Sequence, residues 1–337
     1  MHKSEAYGGS HRAWVWRDSA DPLQLTLEDI DIPTLTSHEV LVRNAVIALN
    51  PVDWKVLTPG LVNWQPGHVP GVDGSGTVIA VGDKVPQSWL GQRVAYHQSL
   101  NKPGSFAQYT PVEQRALMRI PDALDFATAA SFPCPGLTAW LALEKLPPRQ
   151  NAPLLISGAG GAVGHYLVQL AVARGFSVTA MCNPRHWDRL RAMGVSHCMA
   201  GPLADGAALP GHAVDHFYAL IDSVDEDHAA RLAPTLQANG HLVSVQGRLE
   251  NWPNAPFGRT LSLHEVALGA LHEFGYDAAW RRLTDRGEQM LRELASQRLT
   301  PLTTVIEDFS GLAQLLERLR DRQFSGKPLI QISEASL

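Results

Sequence analysis

The stretch Leu154-Leu155-Ile156-Ser157-Gly158-Ala159-Gly160-Gly161-Ala162-Val163-Gly164 limits what this chain can fold into more than any other. An apolar run meets a cluster of glycines, and an amphipathic helical pattern follows at once. That order predicts a buried strand, a tight turn and a helix whose first N–H groups, from Ala162 and Val163 onward, are free to bind an anion. Gly158 permits the turn, Gly160 and Gly161 let the backbone approach a pyrophosphate, and Gly164 lets the helix pack closely on the sheet. The plainer alternative is a glycine-rich structural turn. The flanking strand and helix favour a dinucleotide site.

The end of the next strand should decide which dinucleotide binds, because an acidic side chain there would hold both ribose hydroxyls of NAD and repel a 2′-phosphate. No acid is present. The strand ends Thr179-Ala180-Met181-Cys182-Asn183-Pro184-Arg185-His186, with neutral Cys182 and Asn183 at that place and Arg185 just beyond. A guanidinium can grip a phosphate with two charge-assisted hydrogen bonds, so the pattern favours NADPH; otherwise Arg185 is an exposed cap of the following helix.

Around this motif the texture of the chain changes near residue 125. Before it come short β-branched runs closed by Gly and Pro, such as 39–43, 76–81 and 92–96, which predict a mostly β domain. After it, predicted helices at 126–131, 137–146, 163–174, 187–193 and 227–237 alternate with predicted strands at 153–157, 177–181, 214–221 and 240–245. Such alternation predicts a parallel, doubly wound sheet with right-handed crossovers. In the tail, Ser310 is placed to cap a helix carrying Leu312, Leu315, Leu316 and Leu319, and Gly326 stops it before a strand at 328–332. The tail is expected to return to the first domain. The division read from the sequence is therefore 1–125 with 272–337, and 126–271.

With 337 residues and 45% hydrophobic content, the chain can bury the cores of two domains. Twenty-eight basic and 33 acidic residues leave a net charge of −5 with no basic stripe, which argues against nucleic acid as a partner. Cys134, Cys182 and Cys198 form no C-x-x-C pair and are too few for a disulfide framework, which fits a reducing, cytoplasmic setting. The first ten residues carry no apolar run of leader length, and no run of about 18 apolar residues suggests a membrane span.

Six segments in order resemble the medium-chain dehydrogenase/reductases, especially their quinone and enone reductases. They are Asn50-Pro51-Val52-Asp53-Trp54-Lys55, Pro70 to Val78, Gly104-Ser105-Phe106-Ala107-Gln108-Tyr109, Gly136-Leu137-Thr138-Ala139-Trp140, the glycine turn, and Gly326-Lys327-Pro328-Leu329-Ile330. The resemblance implies a β-rich, GroES-like substrate domain completed by the tail, a Rossmann cofactor domain, and an active site in the cleft between them. It also implies a homodimer; the segment from Asn254 to Ala270, with Leu261, Leu263, Val266 and Leu268, serves either pairing or an ordinary buried element.

Zinc-dependent members of that superfamily carry Cys where this chain has Asn50, and Gly-His-Glu where it has Gly71-Val72-Asp73. Cys134 falls near a third ligand position. One thiolate alone does not make the three-ligand open site of a catalytic zinc, so no metal is expected. Without a Lewis acid, hydride addition to a quinone or an α,β-unsaturated carbonyl is easier than alcohol oxidation, because hydrogen-bond donors can stabilise the resulting enolate. The resemblance places Asn50 and Lys55 as catalytic candidates beside the nicotinamide, with Thr138 and Lys327 as cofactor contacts.

Each has a plainer reading: Asn50-Pro51 as a turn, Lys55 and Lys327 as surface charges, Thr138 as a helix cap. Trp54 replaces the Tyr of many quinone reductases, which removes a phenolic proton donor. Asp53 is read as a local backbone cap and Asp222 as a structural turn. Trp64, Trp89 and Trp252 are open between pocket and core. Competing functions are an enoyl-thioester or aldehyde/alcohol oxidoreductase of the same fold, and a non-enzymatic NADPH-binding sensor or scaffold.

Overall fold

Short β-branched runs closed by Gly and Pro become strands because each buries one or both faces while its ends carry turn residues. The computed structural model describes residues 9–332 except Ala208 and Pro210. The reading of the first residues as leaderless thus falls largely outside the described residues. The chain forms two compact units, the first running to Cys134 and resuming at Gly269, the second spanning Pro135–Leu268.

The first unit opens with β1 (Ser10–Val15) and β2 (Thr26–Asp31), an antiparallel pair. Next come β3 (Glu39–Ala48), α1 (Pro51–Lys55), β4 (Asp73–Val81), β5 (Arg93–His97), β6 (Tyr109–Glu113), β7 (Leu117–Arg119) and α2 (Phe126–Ser131). Strand β3 is the spine. It pairs antiparallel with β4 and β6, and eight of its ten residues are buried. Helix α2 was expected in the second domain, yet it belongs to the first unit: Ala130 packs with Val46, Ala48 and Leu329, and Ser75 Oγ donates to the Phe126 carbonyl at 2.8 Å.

Helix α3 (Pro133–Glu144) leads into the second unit, where β8 (Pro153–Ser157), α4 (Ala162–Ala173), β9 (Ser177–Cys182), α5 (Trp187–Ala192), β10 (His197–Ala200), β11 (Phe217–Asp222), α6 (Glu226–Leu232), β12 (Leu236–Ser244) and β13 (Ser262–Glu265) follow. All neighbouring strands run parallel in the order β10-β9-β8-β11-β12-β13, the doubly wound arrangement of a Rossmann fold. The predicted helix 227–237 stops at Leu232 because Pro234 lacks the N–H to continue it, and a short 3-10 turn delivers the chain to β12.

The tail adds α7 (Ala270–Phe274), α8 (Asp277–Ala295), β14 (Thr304–Asp308), α9 (Leu312–Arg320) and β15 (Lys327–Gln331). Strand β15 slots between β14, parallel to it, and β3, antiparallel, completing a seven-stranded sheet in the first unit. The 19-residue α8 was not anticipated, although Trp280, Leu283, Gly287, Met290, Leu291 and Leu294 trace one buried stripe at helical spacing. Ser310 is not the cap of α9: residues 309–311 form a 3-10 turn, and Gly311 takes the cap position.

Candidate functional site

In the second unit, Leu154, Leu155 and Ile156 are fully buried, and β8 then turns at Gly158 with φ +68°, a left-handed conformation that favours glycine. Gly161 precedes α4 with no side-chain cap, so the first N–H groups of the helix, on Ala162, Val163 and Gly164, are open to a ligand. A Cβ on Gly164 would lie 2.5 Å from Ala159 Cα, and one on Gly160 2.4 Å from the His186 ring. These glycines are therefore needed for close approach, and they fit the pyrophosphate of a dinucleotide.

Basic side chains gather at Gly160. Arg189 Nη2 donates to the Gly160 carbonyl at 2.9 Å, and its Nη1 lies 3.1 Å from His165 Nδ1. A guanidinium can only donate, so His165 accepts there and carries its proton on Nε2. Arg185 Nε reaches His186 Nε2 at 3.1 Å, while Asn183 Oδ1 accepts the Arg185 N–H at 3.0 Å and shapes the turn that presents it. Burial, then Arg189 and Arg185, hold His186 below the usual imidazole range. Arg185 is exposed as the sequence suggested; Arg189 and His186 were missed, although Arg189 lies four residues beyond Arg185.

Asp222, at the carboxyl end of β11, is structural. It accepts the Ser157 hydroxyl, the Val224 N–H at 2.9 Å and the His228 Nδ1 proton at 2.6 Å. The His228 tautomer follows from its other nitrogen, which accepts the Leu203 N–H at 3.0 Å. Thr138 lies inside α3, five residues past Pro133, and is 8% exposed, so it is not the cap that the sequence allowed.

In the first unit a second cluster is built from positions far apart in sequence. Asn50 precedes α1, and its N–H goes to Asp53 Oδ2 at 2.6 Å, as expected of a backbone cap. Its side chain does other work. Asn50 Nδ2 donates to Asp73 Oδ2 at 3.0 Å, and Asn50 Oδ1 accepts from the Lys327 ammonium. The same Asp73 oxygen takes the Cys134 N–H at 3.0 Å. Asn50, Asp53, Asp73 and Lys327 are all buried, which rules out the surface-charge reading of Lys327.

Burial drives both carboxyls up, Asp53 to about 7 against the pull of the Asn50 N–H, and Asp73 to about 6 against Lys327 and the Asn50 amide. Each also leaves its Oδ1 without a partner among the described residues. Lys55 is exposed, with Nζ 5.8 Å from the Trp54 ring centroid. Trp64 and Trp89 are buried, whereas Trp252 is 63% exposed. Among the described residues, no group of three or more His, Cys, Asp or Glu is placed to hold a metal ion.

The alcohol dehydrogenase GroES-like domain family matches residues 36–122. A chloroplast envelope quinone oxidoreductase homolog of Arabidopsis thaliana is 30% identical across 64% of this chain and 68% of its own length. A zinc-type alcohol dehydrogenase-like protein of Schizosaccharomyces pombe is 30% identical across 96% of this chain and 97% of its own. This chain belongs to the quinone-oxidoreductase-like branch of the medium-chain dehydrogenase/reductase superfamily. The fold of that superfamily recurs in the quinone oxidoreductase of Coxiella burnetii, with a TM-score of 0.79 at 23% identity over 96% of this chain and 100% of that one. As a member of this superfamily the chain is an oxidoreductase, and no helix among its described residues is long and apolar enough to cross a membrane.

Proposed function

We propose that this oxidoreductase uses NADPH to reduce a quinone or an α,β-unsaturated carbonyl by hydride transfer, without zinc. The observation that carries the reading is the Asn50–Asp73–Lys327 cluster. Its amide and carboxylate are turned toward each other and toward an ammonium of the same chain, so their lone pairs do not converge on a common point as metal ligands must. Hydride chemistry then rests on positioning and hydrogen bonding.

In the second unit, the start of α4 would bind the pyrophosphate, and Gly158, Gly160, Gly161 and Gly164 keep that surface clear. Arg185, presented by Asn183, supplies the exposed guanidinium for a 2′-phosphate, and Arg189 fixes the Gly160 carbonyl behind it. A bound reduced nicotinamide supplies the hydride. In the first unit, Lys327 and Asp73 fix both ends of the Asn50 amide, and Lys55 is an exposed cation at the end of α1. We also propose a homodimer joined through β13, which lies at the edge of its sheet.

A second reading, reduction of an enoyl thioester, is favoured by the 29% identity to a trans-enoyl reductase of Thermothelomyces thermophilus over 95% of this chain and 96% of that protein. The test is oxidation of NADPH, with NADH as control, against quinones, enones, enoyl thioesters and simple aldehydes, with and without a chelator. Chelator-insensitive turnover of quinones or enones with NADPH supports the first reading. Preference for the thioesters moves it to the second, loss on chelation sinks the zinc-free claim, and binding without turnover leaves a sensor or scaffold.

A further inference from the structure

The first unit holds a cavity of about 220 Å³ whose lining residues all come from that unit. It lies between β1, β2, the loop before Pro70 and the start of β6, and none of its lining residues belongs to the Asn50–Asp73–Lys327 cluster. Ile30, Pro33 and Val69 give it apolar walls, and His11, His68 and Tyr109 are its polar ones. A cavity of roughly 150 Å³ takes benzene, so this one has room for a single ring with a small substituent. A dinucleotide or a thioester carrier is far too large for it.

The polar groups are short of partners. His11 is 3% exposed, and its Nδ1 accepts the Tyr109 main-chain N–H at 3.4 Å. A ring nitrogen that accepts carries no proton, so the His11 ring is neutral and holds its one proton on Nε2. That nitrogen has no partner among the described residues. Burial acts the same way, lowering His11 to about 4 although Asp29 opposes the shift, and lowering His68 to about 4 as well. The Tyr109 ring lies 5.6 Å from the His11 ring at a tilt of 56°, and its hydroxyl also makes no hydrogen bond among the described residues. His68 is stacked on Trp64, with ring centroids 4.3 Å apart and 20° between the planes, and Trp64 is itself fixed by its Nε1–H, which donates to the Leu100 carbonyl at 2.7 Å.

We propose that this cavity binds a neutral one-ring ketone, whose carbonyl oxygen accepts from His11 Nε2–H and Tyr109 O–H while its ring packs on Ile30, Pro33 and Val69. A buried N–H without an acceptor carries its full desolvation penalty, and an oxygen in the cavity removes it. The two lone pairs of a carbonyl match the two donors, and a ketone brings no donor of its own to compete with them. An anion is disfavoured, because both imidazoles are uncharged and Asp29 adds a negative charge near His11. A cation would meet the His11 N–H head-on. The site goes beyond the reductase reading and is independent of it, since it needs neither a cofactor nor the second unit.

The test titrates the whole protein, without NADPH, with acetophenone, with α-methylstyrene, in which CH2 replaces the carbonyl oxygen, and with benzoate, following histidine 1H–15N spectra. The expected result is saturable acetophenone binding that moves the His11 and His68 signals and leaves those of His97 and His272 in place. The other two compounds should bind at least about fivefold more weakly. His11→Phe and Tyr109→Phe should each weaken acetophenone by about threefold to tenfold and leave α-methylstyrene unchanged. Tyr109→Phe removes a single oxygen, so it decides the matter if His11→Phe folds poorly, and weakening in either variant supports the site. Absence of saturable binding would mean that water satisfies His11 instead, and it overturns the proposal. So does α-methylstyrene binding as tightly as acetophenone, a shift at His97 or His272 in place of His11, or an acetophenone affinity unchanged in every variant that folds. None of these outcomes bears on NADPH turnover, which stands or falls by its own assay.

Discussion

The glycine turn of the second unit and the polar cluster of the first prepare a binding surface by opposite means. The turn works through main-chain N–H groups and the absence of side chains, within eleven consecutive residues from Leu154 to Gly164. The cluster works through side chains drawn from β15, the start of α1 and β4, with Lys327 and Asn50 separated by 277 positions. A main-chain site is cheap to specify and hard to retune, whereas a side-chain site holds buried charge and is sensitive to each partner.

The sharpest way to break this contrast is Lys327→Met. Removing one partner from a buried ionic cluster costs about 3–5 kcal/mol, so urea unfolding should show a loss of that size. A loss below about 1 kcal/mol, the range of an exposed pair, would show that the cluster is not held by its ammonium.

Titration gives the next largest effect. Asp53 and Asp73 are raised in the folded protein to about 7 and about 6, so the folded state holds more protons than the unfolded chain between their ordinary range and those values. Stability is therefore greatest at the acid end of that window and falls as pH rises from about 4 to about 7. Thermal melts at pH 5 and 8 should differ, by about 2–4 °C for each kcal/mol lost, and Asp53→Asn should flatten the dependence. A melt that rises with pH across this window would overturn the assignment.

On the turn, Gly164→Ala sets a Cβ 2.5 Å from the Ala159 main chain, with no flexible side chain to give way, and should cost about 1–3 kcal/mol together with cofactor affinity. Gly161→Ala meets only the Gly158 carbonyl at 3.4 Å and should be much milder. Similar losses in the two variants would show that close packing is not what the turn requires. The smallest effect is at Arg185→Gln, which should weaken NADPH about tenfold, roughly 1.4 kcal/mol, and leave NADH unchanged. Equal weakening of both cofactors would move the phosphate contact elsewhere.

Sequence legibility follows the same divide. The turn, the parallel strands and the tail helix could be read because their signals are local: apolar runs, glycines and a 3.6-residue period. Asn50 and Lys327 were singled out, but their contact was not, since nothing local links β15 to the start of α1. Asp73 could be read only as a departure from a metal-binding pattern. The phosphate pattern points to Arg185 at the strand end and carries no signal for Arg189 or His186, whereas the chain bends back so that these later side chains reach Gly160. Helix α8 carries a clear apolar stripe of its own, and Thr138 lies inside α3 rather than at its start because Pro133, not a polar cap, begins the helix.

The late arrival of β15 also sets a timetable. A ribosome releases Asn50, Asp53 and Asp73 long before Lys327, and at about 5–20 residues per second the 277-residue gap between Asn50 and Lys327 lasts roughly 15–55 s. During that interval the second unit, contiguous from Pro135 to Leu268, has everything it needs to fold, while the first lacks β14, β15 and the ammonium. The nascent chain must therefore carry two carboxyl groups without their counter-ion and a sheet with an open flank, a state in which chaperone binding has the most to protect.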